Sequence, residues 1–254
     1  ALTGALHGAS WVPADLQCDP RAIARGLADE AAGGGAAVRT DTPVAALDVR
    51  DGRVRGVRLE SGEALPAGAV VLAAGPWSAP LAGSAGLELP VEPRKGQLVR
   101  LRAVRPDPGF LRRKLVDGSY LLSLTSPDAG RQVSTVVETT WDGHVLVGSS
   151  RERCGFDPTV DPALSAQMRA RAERLVPGLA GLEVDAAWVG FRPWLPDHLP
   201  AIGASRRVDG LWLATGHEGA GVALGPVTGR LVAQQLTGAP PSLALAPFDP
   251  DRFA

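Results

Sequence analysis

The segment Leu211 to Gly225 reads Leu-Trp-Leu-Ala-Thr-Gly-His-Glu-Gly-Ala-Gly-Val-Ala-Leu-Gly. A short apolar strand, Leu211 to Thr215, runs into a glycine loop, Gly216 to Gly221, and then into a helix predicted over Val222 to Leu236. A strand that turns through glycines into a helix belongs to a layered α/β fold. The first N–H groups of that helix have no partner within it, and glycines let a ligand approach the backbone, so the turn favours an anion. Gly219, Gly221 and Gly225 are spaced Gly-x-Gly-x-x-x-Gly, which is not the dinucleotide fingerprint. Nor does an acidic residue follow at the end of a second strand, because the chain reaches Gly238-Ala239-Pro240-Pro241. On spacing alone, a purely structural turn and an anion cradle both remain open.

The chain has 254 residues, which at about 150 per domain is one to two domains. With 26 basic and 27 acidic residues, its net charge is −1. No whole-molecule field draws it to nucleic acid or to an anionic bilayer. Two cysteines, Cys18 and Cys154, are too few for a disulfide framework and lack CxxC spacing, so a reducing, cytoplasmic setting is expected. The longest uncharged run, Ala64 to Leu87, is interrupted by Pro66, Pro76 and Pro80 and cannot be one spanning helix. The chain reads as soluble.

Asp19-Pro20 is an N-cap followed by Pro at the first helical position, predicting a helix to Ala32 that Gly33-Gly34-Gly35 ends. Asp51-Gly52 marks a hairpin between strands Pro43 to Val49 and Arg53 to Glu60. Ala69 to Ala74 is a short apolar run ending at Gly75, the pattern of a buried parallel strand. The texture then changes to short strands: Gly96 to Leu101, Ser119 to Leu124, Val133 to Glu138 and His144 to Gly148, with Asp142-Gly143 as a second hairpin signal. Asp161-Pro162 opens another capped helix through Leu175, and a strand is predicted over Val184 to Phe191.

Two familiar site patterns fail here. His217-Glu218 opens like a zinc-protease helix, yet Gly221 stands where the second His is needed, and no metal is expected. Ser84 lacks the glycine two residues before it that a nucleophile elbow requires.

Gly216-His217-Glu218-Gly219-x-Gly221-Val222, with Pro226, Thr228 and Gly229, resembles the C-terminal flavin-binding motif of the D-amino-acid oxidase, glycine oxidase and sarcosine oxidase superfamily. Upstream, Val70-Val-Leu-Ala-Ala74-Gly75-Pro-Trp77-Ser78 is similar to that family's internal Ala-x-Gly motif, and Asp19-Pro20 followed by Thr42-Pro43-Val44 to the segment whose valine backbone contacts the adenine. Gly190-Phe191-Arg192-Pro193 with Asp197, Pro200, Ile202 and Gly203 is similar to the stretch carrying the substrate-carboxylate arginine. Leu146-Val147-Gly148-Ser149-Ser150-Arg151-Glu152 and Gly155-Phe156 look nearest to the catalytic beta subunits of opine, hydroxyproline and hydrogen-cyanide-forming amine dehydrogenases.

The resemblance implies an α/β fold: a Rossmann-like FAD/NAD(P)-binding domain with an inserted, mainly antiparallel substrate-binding domain. The family's opening strand, Gly-x-Gly-x-x-Gly and helix have no counterpart before Asp19, so the chain is expected to be cropped from a longer protein, lacking its N-terminal βαβ. The expected division is an entry segment 1–18, FAD-binding parts 19–88 and 191–254, and a substrate domain 89–190. The implied cofactor is FAD, held at Val44, Ala74, Gly75, Trp77, Gly216, His217, Glu218, Gly219, Gly221 and Val222.

The implied reaction is oxidation of an amino acid or secondary amine of glycine, sarcosine, D-amino acid, proline or opine type to an imine by hydride transfer to the flavin. Arg192 anchors a substrate carboxylate, since a planar guanidinium binds one through two parallel hydrogen bonds, or else serves a structural ion pair. Tyr120, read in a strand, hydrogen-bonds substrate or packs in the core, and His217 stabilises charge near the flavin or merely caps the loop. Two alternatives stay open: a dehydrogenase subunit passing electrons to a partner chain, which would also allow peripheral membrane association through that partner, and a truncated, non-catalytic nucleotide-binding or scaffold chain. The expected assembly is a homo-oligomer or a hetero-oligomer, and the run Arg102 to Lys114 is a solvated face or a surface for such a partner.

Overall fold

The computed structural model describes residues 2–102, 111, 113–118, 120 and 130–253. In chain order its elements are α1 (Pro20–Gly33), β1 (Val44–Arg50), β2 (Arg53–Leu59), β3 (Ala64–Pro66), β4 (Val70–Leu72), a 3₁₀ turn Gly75–Trp77, α2 (Ser78–Ser84), β5 (Glu92–Leu101), β6 (Leu115–Val116), β7 (Gln132–Thr139), β8 (Val145–Arg151), α3 (Pro162–Leu175), β9 (Val184–Trp194), β10 (Ala201–Ala204), β11 (Leu211–Thr215) and α4 (Gly221–Leu236). The chain divides into two compact units, one of 1–36 with 95–190 and one of 37–94 with 191–254. Helix α1 therefore groups with the first unit, and β5 and β9 each begin in one unit and end in the other.

The first unit is built on a five-stranded sheet in the order β6-β7-β8-β5-β9, with β7 antiparallel to β6 and β8, and β8 antiparallel to β5. Leu164, Met168 and Ala172 recur every four residues, which puts them on one face of α3, and all three are buried against Val99, Leu101, Val137, Val145 and Val147. Asp161 caps this helix, accepting from the N–H groups of Ala163 and Leu164. Asp19 caps α1 in the same way, but α1 buries none of its residues. At the tip between β7 and β8, Gly143 stands at φ +87, and its N–H bonds the Thr140 carbonyl. Lys95, one of the few buried charges, donates from Nζ to Asp157 Oδ2 at 2.7 Å.

The second unit has two small sheets. In one, β1, β2 and β3 form an antiparallel meander. Asp51 and Gly52 both have positive φ, as the primed two-residue hairpin turn requires. In the other, β11 lies between antiparallel β10 and parallel β4, so the parallel pairing expected for the Ala69 to Ala74 run is found. That strand is shorter than predicted. It stops at Leu72, and Pro76, which has no N–H for a ladder, sits inside the 3₁₀ turn. Leu72, Leu211, Leu213, Leu195 and Ala82 form the core beneath.

The strand predicted over Ser119 to Leu124 lies outside the described residues except at Tyr120. There the expectation is corrected: Tyr120 has helical backbone, its N–H bonded to the Asp117 carbonyl at 2.9 Å. Most of the charged run Arg102 to Lys114 also lies outside the described residues. Among the described residues, no helix is long and apolar enough to cross a membrane.

Candidate flavin-binding site

β4 and β11 run parallel in register, Leu72 beside Leu213, so their carboxyl ends finish side by side. The crevice beyond the carboxyl ends of parallel strands is where open α/β sheets take ligands. Each strand ends there in one of the predicted glycine segments: β4 leads to Ala74, Gly75 and Trp77, and β11 to Gly216 through Val222. A hydroxyl relay ties the two ends together. Ser78 Oγ donates to Thr215 Oγ1 at 3.0 Å, and Thr215 Oγ1 donates to the Gly75 carbonyl at 3.0 Å.

Gly216 has φ +85, in the left-handed region. A Cβ there would lie 2.2 Å from Leu195 Cδ1 and 3.4 Å from the Pro200 Cα, so any other residue is strained in conformation and must displace the buried Leu195 side chain. Next to it, His217 Nε2 lies 2.9 Å from Thr228 Oγ1, joining the loop to the second turn of α4. Burial pushes the His217 imidazole below its ordinary pKa, so it is neutral at pH 7. Glu218 follows at φ +47, its Oε1 accepting from Arg94 Nη1 at 2.5 Å and its Oε2 3.4 Å from His198 Nδ1. Gly221 has ordinary helical φ at the start of α4, and a Cβ there would meet only the His217 Cβ, at 3.5 Å. Of Gly216 and Gly221, Gly216 is thus the one where a side chain meets a steric conflict.

Around this turn the surface is open. Trp77 is 54% exposed and Val222 47%, and nothing lies within 4 Å of a Cβ built on Gly75, Gly225 or Gly229. A turn with open space beside Gly75 and Gly225, at the start of a 16-residue helix whose N-cap makes no side-chain bond, fits the phosphate-bearing part of a flavin nucleotide. Val44, the predicted adenine contact, is half-buried at the start of β1. Arg192 is half-buried in the second-unit end of β9 and engages neighbours there. Tyr120 belongs to the first unit, where the Arg151 guanidinium stacks 4.6 Å from its ring centroid.

The family profile described as DAO, FAD dependent oxidoreductase, matches residues 1–235. The chain belongs to this FAD-dependent oxidoreductase family. Among DAO-family relatives, the glycine oxidase of Pseudomonas aeruginosa is 39% identical over 204 residues, covering 80% of this chain and 50% of that protein. The crystal structure of glycine oxidase from Geobacillus kaustophilus superposes with a TM-score of 0.76 at 30% identity, covering 91% of this chain and 57% of that one. The iminodiacetate oxidase from Chelativorans sp. BNC1 gives 0.74 at 27% identity, covering 91% and 58%. The chain thus spans about half the length of the curated glycine oxidases it matches.

Three residues of this DAO-family site were not legible beforehand: Arg94, Ser78 and Thr215. Arg94 stands 124 positions from Glu218 and Ser78 137 from Thr215, so no local spacing signals either pair.

Proposed function

We propose that the protein is an FAD-dependent oxidase of small amino acids or secondary amines, and that the present chain contributes its substrate-side sheet and the C-terminal part of its flavin site. The observation that carries this reading is the meeting of Gly75 and Gly216 at the carboxyl ends of the parallel pair β4 and β11. Relatives named as glycine and iminodiacetate oxidases support a substrate that carries a carboxylate beside its amine.

Bound FAD supplies the electron sink for removal of a hydride from the amine carbon, leaving an imine that water hydrolyses. The chain's own residues bind and orient. Backbone N–H groups of Gly216, Glu218, Gly219, Gly221 and Val222 face the anionic part of the nucleotide, with Ala74, Gly75 and Trp77 on the other lip and Val44 at the adenine. Arg192 holds the substrate carboxylate through its planar fork. The neutral His217 imidazole presents a dipole rather than a full charge beside the flavin.

Full-length protein should purify yellow, bleach on anaerobic addition of glycine or iminodiacetate, and regain its absorbance rapidly in oxygen. A colourless protein that gains no flavin on reconstitution would overturn the reading. Bleaching followed by slow recovery in oxygen but fast reduction of a dye would replace the oxidase with a dehydrogenase that serves a partner subunit.

A further inference from the structure

Arg94, on β5, is among the most buried charges described, with 3% of its side chain exposed. Its guanidinium donates to Glu218, 124 residues away in the cofactor loop. The far side of the same carboxylate faces His198, whose ring stands edge-on to Trp194 at a centroid distance of 5.8 Å. Glu218 is therefore gripped from two sides. It needs to be, because its backbone sits at φ +47, a conformation that a residue with a Cβ adopts only when its surroundings enforce it. His217 is tied to Thr228, and Gly216 is packed against Leu195 and Pro200. At Glu218 the loop is held by contacts that include those to Arg94 and His198.

We propose that Arg94 is a positioning residue for flavin binding. By fixing the Glu218 carboxylate it holds the loop in the conformation that presents the N–H groups of Glu218 and Gly219, and those of early α4, to the flavin nucleotide. This rests on the reading of the loop as part of the flavin site. Arg94 acts through Glu218, so the carboxylate is committed to the loop's shape and does not serve as a proton acceptor for substrate.

A buried ion pair that served stability alone would behave differently. Breaking such a pair from one side leaves a buried charge unmatched and is strongly destabilising, whereas replacing both partners with apolar residues is often neutral. The test uses full-length protein and three variants, Arg94→Lys, Arg94→Met and the double variant Arg94→Met/Glu218→Met. Flavin affinity is read by fluorescence quenching, the flavin environment by visible circular dichroism, and folding by thermal melting.

Arg94→Met is expected to weaken flavin binding about tenfold or more and to alter the visible dichroism, with Arg94→Lys recovering most of the affinity. The double variant should recover the melting temperature but not the affinity. A double variant that binds flavin as wild type does, or an Arg94→Met protein with unchanged affinity, would overturn the proposal. Gly216→Ala separates the two levels of inference. If a Gly216→Ala protein that still melts cooperatively has lost flavin binding while Arg94→Met has not, Arg94 alone has been misassigned. If Gly216→Ala leaves flavin binding intact, the site reading fails and the role of Arg94 with it.

Discussion

Replacing Gly216 with alanine adds one carbon atom, and the structure says what that atom meets. It falls 2.2 Å from Leu195 Cδ1 and 3.0 Å from Leu195 Cγ, on a backbone at φ +85. The conformational part of the penalty is about 1–2 kcal/mol, the cost of a left-handed residue that has a Cβ. The steric part is overpacking against a fully buried side chain, about 1–3 kcal/mol. Together Gly216→Ala should destabilise the second unit by about 2–5 kcal/mol, a large fraction of an ordinary domain's stability. The two parts can be separated. Leu195→Ala alone leaves a cavity and costs about 2–5 kcal/mol, but in the double variant the new methyl group enters the space vacated by leucine. Urea unfolding of the four proteins should therefore show a coupling of about 1–3 kcal/mol in the favourable direction, with the conformational part left over. Strict additivity would refute the steric argument, and a neutral Gly216→Ala would refute both parts.

Five other substitutions follow from the same geometry. Arg192→Ala should raise KM strongly for carboxylate-bearing amines while bound flavin is retained, and an unchanged KM would remove its assigned role. Because burial depresses the His217 pKa in the folded state, the unfolded chain binds more protons at mildly acidic pH. Stability should fall as pH drops below the ordinary histidine pKa of about 6.5, and His217→Gln should flatten that part of a melting-temperature profile. Asp161→Ala should cost about 1–2 kcal/mol, because it uncaps a helix packed on the core, whereas Asp19→Ala should lower far-ultraviolet helicity with little change in the global melt, since α1 buries nothing. Thr215→Val leaves the Gly75 carbonyl and the Ser78 hydroxyl without their shared partner and should cost about 1–3 kcal/mol in urea unfolding.

Features decided by neighbours in sequence were legible. The Asp-Pro caps of α1 and α3, the Asp51-Gly52 turn, and β11 with its glycines and helix all depend on contacts within a few residues. Features decided at long range were not. β5 begins at Glu92, four residues earlier than predicted, because Glu92-Pro93-Arg94-Lys95 has the look of a solvated charged run. Arg94 and Lys95 are buried there, where carboxylates 124 and 62 positions away meet them. Tyr120 failed for the opposite reason. Its surroundings, Ser119-Tyr120-Leu121-Leu122, suit a strand, but the local turn closed on the Asp117 carbonyl prevails at Tyr120. In the candidate site, the glycines announced themselves, while the side chains that brace them lie in other parts of the chain.

The adjacency of Arg94 and Lys95 has a consequence for how this chain tolerates change. Neighbouring residues of a strand point to opposite faces, and here each points to a carboxylate, Glu218 for one and Asp157 for the other. Inserting or deleting one residue between Lys95 and Val99, where β5 joins its ladder with β8, would exchange the two directions. Each cation would then be buried away from its acid, a double penalty that no local rearrangement of side chains relieves. Within family members that carry the same two pairs, this stretch should vary by substitution but not in length, while the hairpin tips at Asp51-Gly52 and Asp142-Gly143 remain free to grow.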